Sequence, residues 1–244
     1  MNNINKIVII GGGLAGCEAA YQISKFDINV DLYEMRPKKK TEAHQTKYLA
    51  ELVCSNSFRS DDKEYNAVGV LHEELRIADS LIMKTADNNK VPAGSALAVD
   101  RDDFAKEVNK TISSISNINI INQEVKDLNE FNDQIVIIST GPLTSKTLTE
   151  SIKIKTSENS LAFYDAIAPI VYKETINMSV AWKQSRYDKG NGDDYINCPL
   201  SKEEYYQFID KIKKAPKMEF KEFEDTPFFE SCMPIEEIIR RGDE

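Results

Sequence analysis

Lys6-Ile7-Val8-Ile9-Ile10-Gly11-Gly12-Gly13-Leu14-Ala15-Gly16 is the stretch on which the fold turns. Ile7 to Ile10 is a fully apolar run of strand length, and it breaks at three glycines. A helical pattern of Cys17, Glu18, Ala19, Ala20, Tyr21 and Ile23 then runs to about Lys25. Gly11, Gly13 and Gly16 thus satisfy G-x-G-x-x-G where the motif has physical meaning, between a buried strand and the helix it opens. The first glycine permits a tight turn, the second lets backbone approach a pyrophosphate, and the third lets helix and strand pack closely. The helix N-terminus offers free N–H groups and a positive dipole to phosphate. Asn29 to Tyr33 reads as a second strand ending on Glu34, eighteen residues past Gly16, where a carboxylate can accept hydrogen bonds from a ribose. Strand, turn, helix and acid together predict dinucleotide binding by Gly11, Gly12, Gly13, Leu14, Ala15, Gly16 and Glu34. The acid alone does not choose between FAD and NAD.

Working outward, the 244 residues suffice for one large domain or two smaller ones, and the composition is that of a globular protein. No apolar run approaches the roughly 18 to 20 residues that span a bilayer, and the first apolar run belongs to the strand rather than to a signal peptide. The expected location is the cytoplasm. A net charge of −9 argues against a generally basic nucleic-acid surface and leaves room only for a local patch. Arg36-Pro37-Lys38-Lys39-Lys40 is the candidate patch, and a solvated loop is its plainer reading. Cys17, Cys54, Cys198 and Cys232 are too far apart for a C-x-x-C motif, so neither a disulfide framework nor a metal site is expected.

Met35 to Arg59 has little periodicity and much polarity, and a loop of that length beside a nucleotide site is usually functional. Apolar spacing through Leu71, Leu75, Ala78, Leu81 and Ile82 predicts one helix from Leu71 to Lys84, with His72 facing solvent. Asp100 is the expected N-cap of a helix that starts at Arg101 and runs to about Ser114. Ile118 to Ile121 and Gln134 to Ser139 read as strands, the second running into Thr140-Gly141, where a chain of this type turns against its cofactor. A boundary near residue 168 divides an α/β, Rossmann-like domain (1–168) from a second domain (169–244). Glu203 to Lys214 reads as an amphipathic helix. Trp182 is expected to pack in a core, with stacking on a nucleic-acid base as the alternative.

These motifs together resemble the folate- and FAD-dependent tRNA (uracil-54, carbon 5) methyltransferases. The matching stretches include Gly11 to Gly16, Tyr33 to Pro37, Ala50 to Ser57, Val91 to Gly94, Ala98 to Arg101, Thr140 to Ser145, Tyr164 to Pro169, Asp193 to Pro199 and Cys232 to Glu236. The glycine motif is shared by many flavoproteins, whereas the stretches around Cys54, Tyr164 and Asp193 are far more specific. Ser95 stands where a further glycine is expected, and His72 where the family more often has lysine. Family members continue past the equivalent of Arg241-Gly242-Asp243 for about as much chain again, so a truncated form is expected here.

The resemblance implies an FAD-binding domain of the two-dinucleotide-binding-domain flavoprotein type, followed by the start of an insertion domain. It adds Arg101, Thr140 and Gly141 to the cofactor-binding set. It implies C5-methylation of the T-loop uridine of tRNA, with 5,10-methylenetetrahydrofolate as carbon donor, FAD handling carbon and reducing equivalents, and NAD(P)H as reductant. Uracil carbon 5 is a poor nucleophile until a thiolate adds at carbon 6 and converts the ring to an enolate. By resemblance Cys232 is the first candidate nucleophile and Cys54 a second catalytic thiol, the division of roles between them being open. Cys232 lies just before Pro234 and an expected helix, a setting that lowers a thiol pKa. Cys17 is expected in the core of the first helix and Cys198 in a structural role. His44 contacts either substrate or folate, or else only makes surface hydrogen bonds. Three other readings stand beside this one: the same chemistry on a ribosomal RNA uridine, a non-catalytic flavoprotein remnant, and a generic FAD- or NAD-dependent oxidoreductase.

Overall fold

Strand β1 (Lys6–Ile10) is buried from its second residue to its last, and its alternating side chains feed two different cores. In a computed structural model, which describes residues 5–41, 43–157, 171–185, 192–216 and 233–242, β1 lies inside a four-stranded sheet of order β6-β2-β1-β7. Its partners are β2 (Asn29–Glu34), β6 (Ile118–Asn122) and β7 (Ile135–Ile138), and every pairing is parallel. A strand covered on both faces must be apolar at every position, which is why Ile7 to Ile10 shows no polar alternation.

On one face Ile7 and Ile9 join Val30 and Leu32 of β2 against helix α1 (Leu14–Ser24), which contributes Cys17 and Ala20. Helices α3 (Leu81–Asn88) and α4 (Arg101–Ser114) complete that layer with Met83, Phe104, Val108 and Ile112. On the other face Val8 and Ile10 pack with Val125, Leu128, Phe131 and Leu148, the last from helix α5 (Lys146–Thr156). Each fully buried Val or Ile contributes about 1.5–3 kcal/mol relative to exposure, so a one-residue register slip of β1 would exchange two well-matched layers at heavy cost. The expected Rossmann-like fold is thus the fold of the described residues up to 157.

A small antiparallel sheet of order β3-β5-β4 sits beside this core, formed by β3 (Ser57–Ser60), β4 (Lys90–Val91) and β5 (Ala96–Val99). Asp100 caps α4 as expected, its carboxylate accepting from the N–H groups of Asp102 and Asp103.

Two expectations fail in the region between. The single helix over 71–84 is two helices, α2 (Ala67–Ile77) and α3, separated by Asp79 at φ +55° and restarted by Ser80. The Ser80 hydroxyl accepts from Met83 N–H at 3.1 Å and donates to Glu18 of α1 at 2.8 Å. The apolar period survives the break because both helices face the same core. His72 is 5% exposed rather than solvent-facing. Its Nδ1 lies 3.0 Å from Asp61, which also takes the Arg76 guanidinium at 2.9 Å, so a polar partner rather than water accounts for this residue.

The chain divides into two compact units, 1–161 and 162–244, and the expected boundary at 168 falls outside the described residues. In the second unit β8 (Trp182–Lys183) and β9 (Ile196–Asn197) form an antiparallel ribbon. Helix α6 (Lys202–Lys214) begins with a Ser201–Glu204 capping box, and α7 (Ile235–Arg241) follows Pro234. Trp182 is 45% exposed, its indole N–H donating to Gln184 at 2.8 Å, so the expectation of core packing is corrected. A two-stranded ribbon buries at most one face of its side chains.

Candidate nucleotide-binding site

At the C-terminal end of β1 the chain turns through Gly11 at φ +107°, a backbone region closed to other residues without strain. A Cβ there would lie 2.6 Å from the Ser139 carbonyl oxygen at the end of β7. A Cβ on Gly16 would come within 1.8 Å of the Gly11 carbonyl, so this position sets how closely α1 approaches the turn. Gly13 differs, since nothing lies within 4 Å of where its Cβ would be. It is the N-cap of α1 and supplies no side-chain acceptor, so the first-turn N–H groups of Leu14, Ala15 and Gly16 lack the cap that most helices carry.

This turn forms one wall of an open cleft. Gly11, Gly12, Gly13, Glu34 and Thr140 of the expected cofactor-binding set line it, joined by Arg36, His44, Glu51, Glu124 and Ser139. Leu14, Ala15 and Gly16 lie behind the turn as the start of α1, and Gly141, at φ +61°, begins the short turn after Thr140. Arg101 is not part of the cleft lining; its guanidinium donates to the Cys54 carbonyl at 3.0 Å.

Glu34 accepts the Gly12 N–H at 3.0 Å on Oε2 and the Arg36 backbone N–H at 3.0 Å on Oε1. The Arg36 guanidinium closes on both oxygens, from Nε at 2.9 Å and Nη2 at 3.2 Å. Burial on its own would raise the Glu34 pKa, but the Arg36 hydrogen bonds and charge outweigh it and hold the carboxyl below its usual value. Arg36 is only 2% exposed, which overturns the reading of Arg36 to Lys40 as one solvated basic patch. Pro37 to Lys40 are exposed; Arg36 turns inward because two carboxylates, Glu34 and Glu51, await it. No local pattern marks that inversion, since Glu51 lies fifteen residues further on.

His44 bonds Thr41 Oγ1 through Nδ1 at 2.7 Å, and burial, with Arg36 close by, lowers its pKa and keeps the ring neutral near pH 7. Glu124 of the lining takes the Lys39 ammonium at 2.6 Å. The Ser139 hydroxyl donates to the Ile10 and Gly11 carbonyls at 3.1 and 3.0 Å, a tie that only the long-range β1–β7 pairing makes visible.

Cys17 is buried as expected, its pKa pushed up to about 12 by burial, and Cys54 and Cys198 are exposed. Cys232 lies outside the described residues.

A parallel sheet whose first strand passes through an open glycine turn into an uncapped helix, with an ionised acid at the tip of the second strand, defines a dinucleotide-binding α/β protein. Within that class, the chain belongs to the glucose inhibited division protein A family, whose model matches residues 6–244. It is 57% identical over 240 residues to a protein of Bartonella henselae named methylenetetrahydrofolate–tRNA-(uracil-5-)-methyltransferase TrmFO, covering 97% of this chain and 51% of that protein. Proteins of the same name from Paramagnetospirillum magneticum and Sinorhizobium medicae are 57% and 52% identical over 235 and 247 residues. Those matches cover 96% and 100% of this chain but 53% and 52% of the relatives. The chain therefore spans about half the length of the curated relatives it matches.

Proposed function

We propose that this chain is the cofactor-binding part of a folate- and FAD-dependent methyltransferase that acts at carbon 5 of a uridine in tRNA, the T-loop position 54. The observation that carries the proposal is the open space over Gly13 at an uncapped helix start, with the ionised Glu34 nearby. Such a wall fits the adenosine diphosphate portion of FAD: Gly11 to Gly13 and the first turn of α1 hold the pyrophosphate, and Glu34 serves the ribose. The names of relatives 52–57% identical to the chain supply the reaction class.

Bound FAD would supply the redox capacity and accept the one-carbon unit of 5,10-methylenetetrahydrofolate, with NAD(P)H restoring the reduced form. The chain's own residues supply the rest. A Cys232 thiolate adds to carbon 6 of uracil and makes carbon 5 nucleophilic, and Cys54 serves as the second thiol, taking up or returning a proton. The glycine turn and the N–H groups of the first α1 turn would hold the cofactor's phosphates. Acting on RNA, the protein would work in the cytoplasm.

Titration of the purified chain with FAD, followed by visible absorbance and flavin fluorescence, tests the first step. Saturable binding with a shifted flavin spectrum is expected. Incubation with 5,10-methylenetetrahydrofolate, NADPH and unmodified tRNA tests the second, read as 5-methyluridine by mass spectrometry of the digested RNA. Absence of flavin binding would remove the proposal at its base.

A further inference from the structure

Two residues after the acid that is expected to meet a ribose stands Arg36, and an arginine in that position is also the residue that accommodates a ribose 2′-phosphate. The sequence permits both readings, and the geometry commits the Arg36 guanidinium to protein acceptors. Besides its two bonds to Glu34, the guanidinium donates from Nη1 to the Tyr48 carbonyl at 2.8 Å and to Glu51 Oε2 at 3.0 Å. Four of its donor contacts are thus spent on protein acceptors, and two carboxylates already offset its single charge. The partners are themselves tied down. Glu51 accepts from the N–H groups of Gln45 and Thr46 at 2.7 and 3.1 Å, and the Ala50 N–H donates to the Gly12 carbonyl at 2.8 Å. From the far side, Asn122 at the end of β6 donates to the Arg36 carbonyl at 2.6 Å.

We propose that Arg36 is a positioning residue, which pins the 43–51 segment as the wall opposite the glycine turn before any ligand arrives and leaves, among the described residues that line the cleft, no free cation for a phosphorylated ribose. The consequence is a selectivity: the cleft takes an adenine dinucleotide with a free ribose 2′-hydroxyl and rejects the 2′-phosphate form. Cleft carboxylates sharpen the rejection. Glu34, Glu51 and Glu124 line the cleft, against the Arg36 guanidinium as the cation among the described lining residues, and Glu124 also binds the Lys39 ammonium. An added phosphate would carry up to two further negative charges into that field. The inference deepens the reading of the cleft as a nucleotide site and rests on it for its binding arm only.

The test uses the full chain, as wild type and as Arg36→Lys and Arg36→Met, with two readouts. Hydrogen exchange of the ligand-free protein follows the amides of Gln45, Thr46 and Ala50. Exchange there is expected to accelerate at least tenfold in Arg36→Met while the amides of α4 keep their protection. Calorimetric titration with ADP-ribose and with its 2′-phosphate reads the selectivity. Wild type is expected to favour ADP-ribose at least tenfold, with affinity lowered tenfold or more in Arg36→Met and by an intermediate factor in Arg36→Lys. Unchanged exchange in Arg36→Met, or wild-type preference for the 2′-phosphate, overturns the inference. If wild type binds neither nucleotide while the exchange changes as expected, the positioning role stands and the nucleotide reading of the cleft falls.

Discussion

Gly13 and Gly16 lie three residues apart in one motif, and alanine should affect them in opposite ways. At Gly16 the new Cβ would be 1.8 Å from the Gly11 carbonyl oxygen, against a floor of 3.0 Å for real Cβ contacts, so about 1.2 Å of separation must be found (3.0 − 1.8). The obstructing atom is backbone in the tightest part of the turn, and the Ser139 hydroxyl, 2.7 Å from the same point, blocks retreat on another side. Overpacking of this kind costs about 1–3 kcal/mol and more where nothing yields, so Gly16→Ala should lose about 3 kcal/mol of the roughly 5–15 that a domain has. At Gly13 the Cβ meets nothing within 4 Å, and the backbone, φ −77° and ψ −168°, suits alanine. A weaker N-cap costs up to about 1 kcal/mol and the stiffer unfolded chain returns about 0.4–1, leaving stability within about 1 kcal/mol of wild type. In the proposed binding mode the same methyl group occupies the space that a pyrophosphate oxygen would enter. A steric cost of about 1–3 kcal/mol there weakens FAD roughly 5- to 150-fold. Urea unfolding and FAD titration of the two variants decide the matter. A Gly13→Ala protein that binds FAD as wild type does, or a Gly16→Ala protein as stable as wild type, would refute this assignment of the two glycines.

Ser80→Ala removes both the cap of α3 and the bond to Glu18, and should cost about 1–2 kcal/mol in urea unfolding. Cys54 and Cys198 should react with an aromatic disulfide reagent in the native protein at neutral pH. Cys17, buried and with its pKa raised to about 12, should react only after denaturation, and native labelling of Cys17 would contradict its packing. Burial would raise the Asp61 pKa, but His72 and Arg76 outweigh it and hold the carboxyl below its usual value. Its stabilising contribution is complete above the unfolded carboxyl pKa of about 3.9 and is lost as pH falls through the lower folded value. Asp61→Asn should therefore be less stable by about 1–3 kcal/mol at pH 7 and lose less than wild type between pH 5 and pH 3, as read from urea midpoints.

The parts of the fold written in local pattern were legible in the sequence. Ile7 to Ile10, Asn29 to Glu34 and the Asp100-capped helix are each specified by residues within a few positions of one another, and all three stand where the pattern put them. The failures share a cause in longer range. His72 and Arg36 carry polar side chains that belong at a surface unless a partner lies inside: Asp61 is eleven positions from His72, and for Arg36 the adjacent Glu34 is joined by Glu51, fifteen positions on. The helix break at Asp79-Ser80 did have a local sign, a capping serine in mid-pattern, overridden by an apolar period that both helices share. Glu34 and Thr140 were legible as ends of strands, whereas Ser139 acquires its part only through β1 pairing with β7.

That pairing also fixes when the site can exist. Ser139 bonds the Ile10 and Gly11 carbonyls across 129 and 128 residues of sequence, so the glycine turn lacks its anchor until β7 has left the ribosome. At 5–20 residues per second the wait is roughly 6 to 26 seconds, during which β1 has one side without its strand partner. The nucleotide cleft is consequently among the last features of the first unit to be completed during synthesis, although its glycine turn is made well over a hundred residues earlier.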